Sequence, residues 1–300
     1  MYDIGKFYQA EDVKDAIRAL TEDAKAVLIS GGSDVLIKVR EGKLSGCSLV
    51  SIHGIPELMG IEMEEDKTIL IRPASTFSQI TNHPLIRRWI PILGDAVDQV
   101  GGPQIRNMGT IGGNVCNGVT SADSAPSLFV LNAELELTGP DGKRRVPVNE
   151  FYTGPGKTVR EHAEILTGIR IARKDYEGFA GYYSKYGKRN AMEISTLGCA
   201  VNLKLSPDKK RIEDYRLAYG VAAPTPIRCP KTEAGVIGIE LSDSELFTDI
   251  EKGAESEVSP RSSWRASKEF RLQLVRELAV RTTKQAIEYA LKDVGGEADA

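Results

Sequence analysis

The sequence predicts an α+β fold in two domains, residues 1–176 and residues 177–300. In the first range, helical and alternating β patterns intermix and are separated by glycine-rich turns. In the second, three consecutive β patterns precede a helical remainder. A chain of 300 residues that is 41% hydrophobic is long enough to bury the cores of two such domains.

The first domain begins with a helix and a strand that lead into a pair of glycines. Apolar residues recur at helical spacing along residues 11–20, and the short apolar segment KAVLIS that follows is typical of a strand. SLVSI predicts another strand, and IEMEEDKTILIRP predicts a hairpin because apolar residues alternate on both sides of an acidic turn.

Proline and glycine set the next boundaries. The segment from Pro84 to Val100 has apolar residues at helical spacing, and Pro91 is expected to break or kink this helix. PSLFVL predicts a further helix, and AELELTGPDGKRRVPV predicts a hairpin that turns at Asp-Gly.

The second domain follows a charged segment at residues 171–176. YYSKYGKRN, LGCAVNLKL and IEDYRLAYGVA predict a three-stranded antiparallel sheet. The chain then predicts helices, of which the last runs from about Ser263 to Lys292 and is amphipathic. This helix either packs on its own sheet with a solvated basic face or contacts another subunit. Its apolar face comprises Phe270, Leu274, Val275, Leu278 and Ala279, and the basic residues around it are Arg265, Lys268, Arg271, Arg276, Arg281 and Lys284.

Composition argues against several classes of partner. A net charge of −3 and a pI near 5.8 predict no binding of nucleic acid or of an anionic membrane surface. The N-terminus lacks the apolar region of a secretory signal, and no apolar run reaches membrane-spanning length, so we expect a cytoplasmic protein. The four cysteines form no C-x-x-C pair and the three histidines lie far apart, so no metal site is predicted.

Two neutral, glycine-containing segments are the main functional signal: LISGGSDVL at 28–36 and TIGGNVCNGVTSADSAP at 110–126. Backbone N–H groups in such turns form anion sites, and glycine lets a phosphate approach the main chain closely. Two such segments suit a ligand with two phosphates, although each could simply make a tight turn. No P-loop, G-x-G-x-x-G, G-x-S-x-G or H-E-x-x-H motif is present.

Both segments also carry an aspartate. A carboxylate among phosphate-binding amides would repel the phosphate, so Asp34 and Asp123 would accept hydrogen bonds from sugar or ribityl hydroxyls or from loop amides. The alternative is that each caps the helix that follows, which would stabilise it by about 1 kcal/mol without any contact to a ligand.

Over nearly its whole length, the chain resembles the FAD-binding subunits of bacterial molybdenum hydroxylases, most of all those of xanthine dehydrogenases. The resemblance implies a PCMH-type FAD-binding domain at residues 1–176, followed at residues 177–300 by the C-terminal domain of the carbon monoxide dehydrogenase flavoprotein group. The stretches that carry it are LISGGSDVLI, GGPQIRNMGTIGGNVCNGVTSADSAP, FYTGPGKT, EILTGIRI, AMEISTLGCAV, LAYGVAAPTPIRC and PRSSWRASKEFRLQL.

The resemblance also implies a set of FAD-binding residues. Residues 27–34 would wrap the FAD diphosphate, residues 109–114 would form a second wall, and Asp123 would lie near the ribityl chain. Val100 would contact the isoalloxazine ring, either Ile165 or Leu166 the adenine end, and Lys185 would reach the flavin from the second domain. The implied residues are Val27, Leu28, Ile29, Ser30, Gly31, Gly32, Ser33, Asp34, Val100, Gly109, Thr110, Ile111, Gly112, Gly113, Asn114, Asp123, Ile165, Leu166 and Lys185.

Some of these assignments have simpler alternatives. Val100 could be an ordinary helix-core valine, and Lys185 a solvated lysine on a strand. No histidine lies in either glycine segment, so we expect FAD to be held non-covalently. We interpret Cys116 and Cys199 as small buried hydrophobic residues.

By this resemblance, the function is electron transfer within a heterotrimer. A purine would be hydroxylated at a molybdenum cofactor on a large subunit, and electrons would pass through [2Fe–2S] clusters on a small subunit. FAD on this chain would then reduce NAD⁺, so that xanthine, NAD⁺ and water give urate and NADH. No catalytic residue is predicted because the flavin carries the redox chemistry. The alternatives are a flavoprotein subunit for another N-heterocycle or an aldehyde, and a flavin-free assembly subunit.

Overall fold

In the computed structural model, which describes residues 2–189 and 191–292, the strands form four sheets. Short 3-10 turns occur at Pro56–Leu58 and Arg173–Asp175. In chain order the elements up to residue 171 are β1 (Ile4–Gln9), α1 (Val13–Glu22), β2 (Val27–Ile29), α2 (Val35–Arg40), β3 (Cys47–Ser51), β4 (Ile61–Met63), β5 (Ile69–Ile71), α3 (Phe77–Asn82), α4 (Pro84–Trp89), α5 (Pro91–Asp98), α6 (Pro103–Met108), α7 (Ile111–Cys116), α8 (Ser124–Val130), β6 (Glu134–Gly139), β7 (Gly142–Pro147), α9 (Val148–Phe151), β8 (Tyr152–Gly154), β9 (Lys157–Thr158) and β10 (Ile165–Ile171).

The rest of the described chain forms one sheet covered by helices. Its elements are β11 (Ala180–Tyr186), β12 (Leu197–Leu205), β13 (Ile212–Gly220), β14 (Ile227–Arg228), α10 (Pro230–Val236), α11 (Leu246–Ser256) and α12 (Lys268–Lys292). The mixture of helices and strands confirms the α+β class. Among the residues described, no helix is both long and apolar enough to cross a membrane.

The sheets of the N-terminal half differ in their strand directions. A three-stranded sheet in the order β1-β3-β2 is parallel, with Val50 paired to both Tyr8 and Leu28. A five-stranded sheet in the order β4-β5-β10-β6-β7 is antiparallel, with Ile169 of β10 paired to Ile71 and Leu135. β8 and β9 form a separate pair.

Several local predictions are confirmed. The helix at 11–20 forms as α1, begins at an Asp12 cap that accepts from the Asp15 amide, and buries Val13 and Leu20. Pro91 breaks the predicted helix, since α4 ends at Trp89 and α5 begins at the proline. Proline suits this first helical position because its missing N–H would have had no partner within the helix. Both predicted hairpins form.

The C-terminal sheet is antiparallel, as predicted, but it has four strands in the order β11-β12-β13-β14. The fourth, Ile227–Arg228, is too short to show an alternating pattern. The structure confirms that α12 packs on this sheet, although the helix begins at Lys268 and not near Ser263.

Two residues of α12 differ from their predicted environments. Phe270, assigned to the buried face, is 39% exposed and lies edge-on to Tyr186. Arg271, assigned to the solvated face, is only 3% exposed. Leu274, Val275, Leu278 and Ala279 are buried as predicted.

A buried ion pair ties the C-terminal sheet to the preceding segment. The Arg216 guanidinium of β13 donates to Asp175 Oδ1 at 3.0 Å and to the Val130 carbonyl at 3.2 Å. Arg216 also lies over the Phe179 ring at 4.3 Å. These contacts join the sequence on either side of the domain boundary near residue 176, which itself stays a prediction.

Candidate functional site

A cavity of about 1050 Å³ is lined by both the N-terminal half and the C-terminal sheet region. Its volume lies at the upper end of the ~300–1,000 Å³ typical of small-molecule sites. The glycine segments line it in the N-terminal half, and the lining residues from the C-terminal half are Lys188, Arg189, Met192, Glu193, Ile194, Thr196, Trp264 and Arg265. The cavity therefore suits a large, elongated ligand.

The first glycine segment is a true loop between β2 and α2. A Cβ on Gly31 would lie 1.8 Å from the Met108 carbonyl oxygen, so this glycine allows close packing of the loop against residues 108–109. Gly32 has a φ of +72°, which also favours glycine. A substitution at Gly32 therefore cannot test for ligand binding, because a side chain there would strain the backbone with or without a ligand.

This loop leaves polar groups without protein partners. Among the residues that the structure describes, none accepts a hydrogen bond from the N–H groups of residues 31–34. The Ser30 hydroxyl is buried and likewise has no partner. A buried hydroxyl without a partner is costly, and the unpaired amides beside it line the same cavity, so a ligand with acceptor oxygens would satisfy both.

Asp34 is not a helix cap. It occupies the cap position of α2, but its side chain accepts no capping hydrogen bond. Its carboxylate lies 2.7 Å from the Lys38 ammonium, which also donates to Asn117 Oδ1 at 2.7 Å. Lys38 thus links α2 to the end of α7, and both it and Asp34 line the cavity.

The second glycine pair lies inside a helix and not in an open loop. Thr110 caps α7, and its hydroxyl accepts from the Gly113 amide at 3.2 Å. The amides of Ile111 and Gly112 donate to the carbonyls of Ser75 and Pro73 at 3.1 and 2.8 Å. The amides of residues 111–114 are therefore already paired, so the Gly-Gly pair does not form the expected anion site of free amides.

The two glycines of α7 have different surroundings. A Cβ on Gly112 would lie 2.4 Å from Pro73 Cβ and 2.8 Å from Pro73 O. A Cβ on Gly113 would meet only Thr110 Oγ1, at 3.1 Å. Gly112 is thus required for packing, whereas Gly113 leaves its Cα exposed in the cavity wall.

Asp123 is buried in the cavity wall and links the two halves of the chain. Its Oδ1 accepts from Tyr183 at 2.7 Å and from Ser195, and its Oδ2 accepts from Lys185 at 2.8 Å. Burial and the adjacent Asp123 carboxylate raise the pKa of Tyr183 well above its ordinary value, so the phenol remains a donor. Asp123 makes no capping bond to α8, which excludes the cap interpretation.

Lys185 of β11 is not a solvated lysine. Its side chain is 9% exposed, and its ammonium donates to the carbonyls of Gln99 and Glu193 at 2.8 and 3.0 Å as well as to Asp123. Three donors therefore have three protein acceptors. Lys185 acts on the cavity through Asp123, and a direct ligand contact would require one of these bonds to break.

The comparisons with known proteins agree with this geometry. Residues 2–173 match the FAD-binding domain in molybdopterin dehydrogenase, and residues 182–286 match the CO dehydrogenase flavoprotein C-terminal domain. The chain belongs to this flavoprotein family. It is therefore an FAD-binding subunit of the molybdenum hydroxylase type, as the sequence motifs indicated.

Individual relatives of the flavoprotein cover most or all of its length. It is 42% identical over 297 residues, 99% of both chains, to the xanthine dehydrogenase FAD-binding subunit of Escherichia coli O157:H7. It is 33% identical to the nicotinate dehydrogenase FAD-subunit of Eubacterium barkeri, over 67% of this chain and 69% of that one. A solved carbon monoxide dehydrogenase from Hydrogenophaga pseudoflava matches with a TM-score of 0.91 at 26% identity, covering 96% of this chain and 99% of that one.

The cavity brings together nearly all of the implied FAD-binding residues of this flavoprotein. Ile29 and Ile111 point into the core and Lys185 lies behind Asp123, so these three do not line it. Val100 lies beyond the end of α5, not within it, and does line the cavity. The predicted residues in the lining are Val27, Leu28, Ser30, Gly31, Gly32, Ser33, Asp34, Val100, Gly109, Thr110, Gly112, Gly113, Asn114, Asp123, Ile165 and Leu166.

Sequence reasoning missed several lining residues that lie outside the glycine segments. His162 lines the cavity, and its Nε2 lies 3.1 Å from the carbonyl oxygens of Leu20 and Asp23, so this nitrogen carries a proton and donates. Cys116 also lines the cavity and is only partly buried against the hydrophobic core, whereas Cys199 is fully buried as predicted. The other missed polar or aromatic lining residues include Lys38, Arg160, Lys188, Arg189, Trp264 and Arg265.

Proposed function

We propose that the chain holds FAD non-covalently in this cavity and is the NAD⁺-reducing subunit of a xanthine dehydrogenase. The observation that supports the location is the set of unpaired donors at Ser30 and residues 31–34, which face a cavity of dinucleotide size. These donors fit the acceptor oxygens of a diphosphate. In a flavin-free assembly subunit these donors would have no acceptor, which argues against that alternative.

In this proposal the residues bind and orient the cofactor and carry no covalent step. The amides of residues 31–34 and the Ser30 hydroxyl would hold the diphosphate, and the exposed Cα of Gly113 would allow close approach from the opposite wall. Val100 would supply an apolar contact for the ring. The chemistry supplied by bound FAD is hydride transfer to NAD⁺ after electrons arrive from the [2Fe–2S] clusters.

Asp123 would act as a positioning residue. Both carboxylate oxygens are occupied by protein donors, so their main effect is to fix β11 and the segment containing Ser195 against α8. A ligand hydroxyl could share Asp123 as a further donor, because each carboxylate oxygen accepts more than one hydrogen bond. The Asp123–Lys185 pair would thereby hold the cavity wall in place around the ribityl chain.

The remaining proposals concern the complex and its substrate. Xanthine is favoured by the 42% identity to a xanthine dehydrogenase subunit over the full chain. We propose a heterotrimer with a molybdenum-cofactor large subunit and a [2Fe–2S] small subunit, a cytoplasmic location, and domains that meet near residue 176. The 33% identity to a nicotinate dehydrogenase subunit supports another N-heterocycle as the second candidate.

Purification of the chain alone tests flavin binding. The expected result is a yellow protein whose flavin is released into the filtrate by denaturation, and Ser30→Ala should release it more readily than the control Ser45→Ala. Ser45 follows α2 in the sequence and does not line the cavity. A colourless protein that takes up no added FAD would overturn the proposal.

Purification of the native complex tests the substrate and the oxidant. We expect NADH to form when xanthine and NAD⁺ are supplied together. NADH formation with nicotinate but not xanthine would support the second candidate. Reduction of an artificial dye, but not of NAD⁺, would exclude the proposed oxidant while leaving the flavin assignment intact.

A further inference from the structure

The rim of the cavity carries an aromatic side chain that its own chain leaves uncovered. Trp264 lines the cavity, yet its side chain is 80% exposed. The Arg265 guanidinium lies 4.3 Å from the centre of the indole and covers one face of it. The other face of the ring is free to stack on a planar ligand.

The segment that contains Trp264 is held in place by hydrogen bonds from α12. The buried Arg271 of α12 donates from Nη1 to the Arg261 carbonyl and from Nη2 to the Ser263 hydroxyl at 2.9 Å. The Ser263 amide also donates to the Ala266 carbonyl at 2.9 Å, which closes a turn around the tryptophan. The exposure of Trp264 is therefore a property of an ordered turn.

Positive charge accumulates at this turn without matching acids. Within residues 2–189 and 191–292, no carboxylate lies within 4.0 Å of the guanidinium groups of Arg261, Arg265 or Arg271. Burial lowers the pKa of Arg271, and the nearby charges of Arg261 and Arg265 lower it further. Since the chain as a whole is acidic, a local excess of arginine indicates an anionic ligand.

Exposed apolar residues contribute to the same lining. Met192 and Ile194 also border the cavity and are 64% and 51% exposed. Exposed aromatic, aliphatic and guanidinium groups around one opening match a ligand that has a planar base and phosphates. The loop at residues 30–34 lines the same cavity and is assigned above to the FAD diphosphate, which leaves Trp264 and Arg265 for a second dinucleotide.

We infer that Trp264 and Arg265 bind the ADP half of NAD⁺ at the rim of the cavity, with adenine on the open face of the indole and the diphosphate at the guanidinium. This inference rests on the proposed function, because it requires FAD in the cavity and NAD⁺ as the oxidant. Trp264 and Arg265 are thus specificity-determining residues for the oxidant and take no part in holding FAD.

Steady-state kinetics of the complete complex test the inference. Trp264→Ala and Arg265→Gln should each raise the KM for NAD⁺ about tenfold or more, because base stacking and a charge-assisted phosphate contact are lost. The kcat at saturating NAD⁺ and the rate with phenazine methosulfate, which has no phosphate, should stay within twofold of wild type. Trp264→Phe should retain most of the affinity, and the exposed control Arg281→Gln on α12 should change nothing.

Tryptophan fluorescence gives a readout that is independent of turnover. The chain has two tryptophans, and ADP should quench the emission of the flavin-loaded protein in a saturable way that Trp264→Phe abolishes. An unchanged KM in both Trp264→Ala and Arg265→Gln would overturn the inference. Loss of partner subunits from these variants in gel filtration would also overturn it, since the rim would then be a subunit contact. Failure to retain FAD in the wild-type chain would refute the proposed function itself.

Discussion

Gly112 and Gly113 are adjacent in α7, yet a side chain at each would have different consequences. Gly113→Ala adds a methyl group that meets only Thr110 Oγ1, at 3.1 Å. Alanine is favoured over glycine in a helix by roughly 0.5–1 kcal/mol, which offsets the small adjustment at Thr110. The free energy of unfolding of the flavin-free protein should therefore change by less than about 1 kcal/mol.

Gly112→Ala is the matched control. Its methyl group would lie 2.4 Å from Pro73 Cβ, a distance that requires the backbone to move. Overpacking of this kind costs about 1–3 kcal/mol. The flavin-free Gly112→Ala protein should thus be clearly less stable than wild type, because its methyl group is directed at Pro73.

Flavin affinity should follow the opposite order. Gly113→Val fills the cavity wall at the point of closest approach, and we expect FAD affinity to fall at least tenfold, about 1.4 kcal/mol. Gly113→Ala should weaken FAD to a smaller extent. Denaturant unfolding of the flavin-free proteins and titration with FAD, followed by flavin fluorescence, measure the two quantities. If Gly113→Val binds FAD as tightly as wild type, or loses only stability, residues 109–114 do not form a wall of the FAD site.

Three further predictions concern buried or perturbed ionisable groups. Asp123→Asn should lower the free energy of unfolding by about 3–5 kcal/mol in denaturant titrations, because the buried Lys185 ammonium loses its counter-charge; a loss below 1 kcal/mol would contradict the buried pair. The Arg144 guanidinium holds the pKa of Glu164 below its usual value, so the stability from this pair is present at neutral pH and is lost as the pH falls through that lowered pKa. The free energy of unfolding of Glu164→Gln at pH 7 should therefore be lower than that of wild type by about 1 kcal/mol, a small loss because Arg144 is partly exposed, and the variant should melt at a lower temperature. Equal melting temperatures at pH 7 would show that the pair contributes nothing. Burial raises the pKa of Cys116 to about 11, so only about one thiol in a thousand is ionised at pH 8 and alkylation by iodoacetamide, followed by mass spectrometry, should be slow; rapid labelling of the folded protein would disprove this.

Features governed by local chemistry could be predicted from the sequence. Pro91 ends one helix and begins the next because its ring and missing N–H act on adjacent residues. The Asp-Gly turn of the β6–β7 hairpin is equally local. The first glycine loop was predicted correctly for the same reason, since the conformation of Gly32 depends on its own backbone.

Features that depend on partners distant in sequence could not be predicted. The second glycine pair is helical because its amides find the carbonyls of Pro73 and Ser75, which lie in another part of the chain. Asp123 was left open between a cap and a ligand contact because its partners, Tyr183 and Lys185, come from the C-terminal sheet. No sequence pattern indicated these contacts.

The end of the chain shows the same limit. Arg271 has helical neighbours that predict solvent exposure, but residues 261–263 fold back over it. No role was predicted for Trp264, because its place in the cavity lining depends on that return. A lone tryptophan beside an arginine in a turn is a weak sequence signal, and its meaning depends on the tertiary structure.

The cavity wall draws on residues from almost the whole length of the chain, from Leu20 to Arg265. During synthesis, the glycine loop near residue 31 leaves the ribosome first, and the turn containing Trp264 leaves it much later. Likewise, the counter-charge of Asp123 is present only after Lys185 has been synthesised. The complete pocket can therefore form only after Arg265 has been synthesised, so a cofactor that needs the whole cavity wall binds after that point.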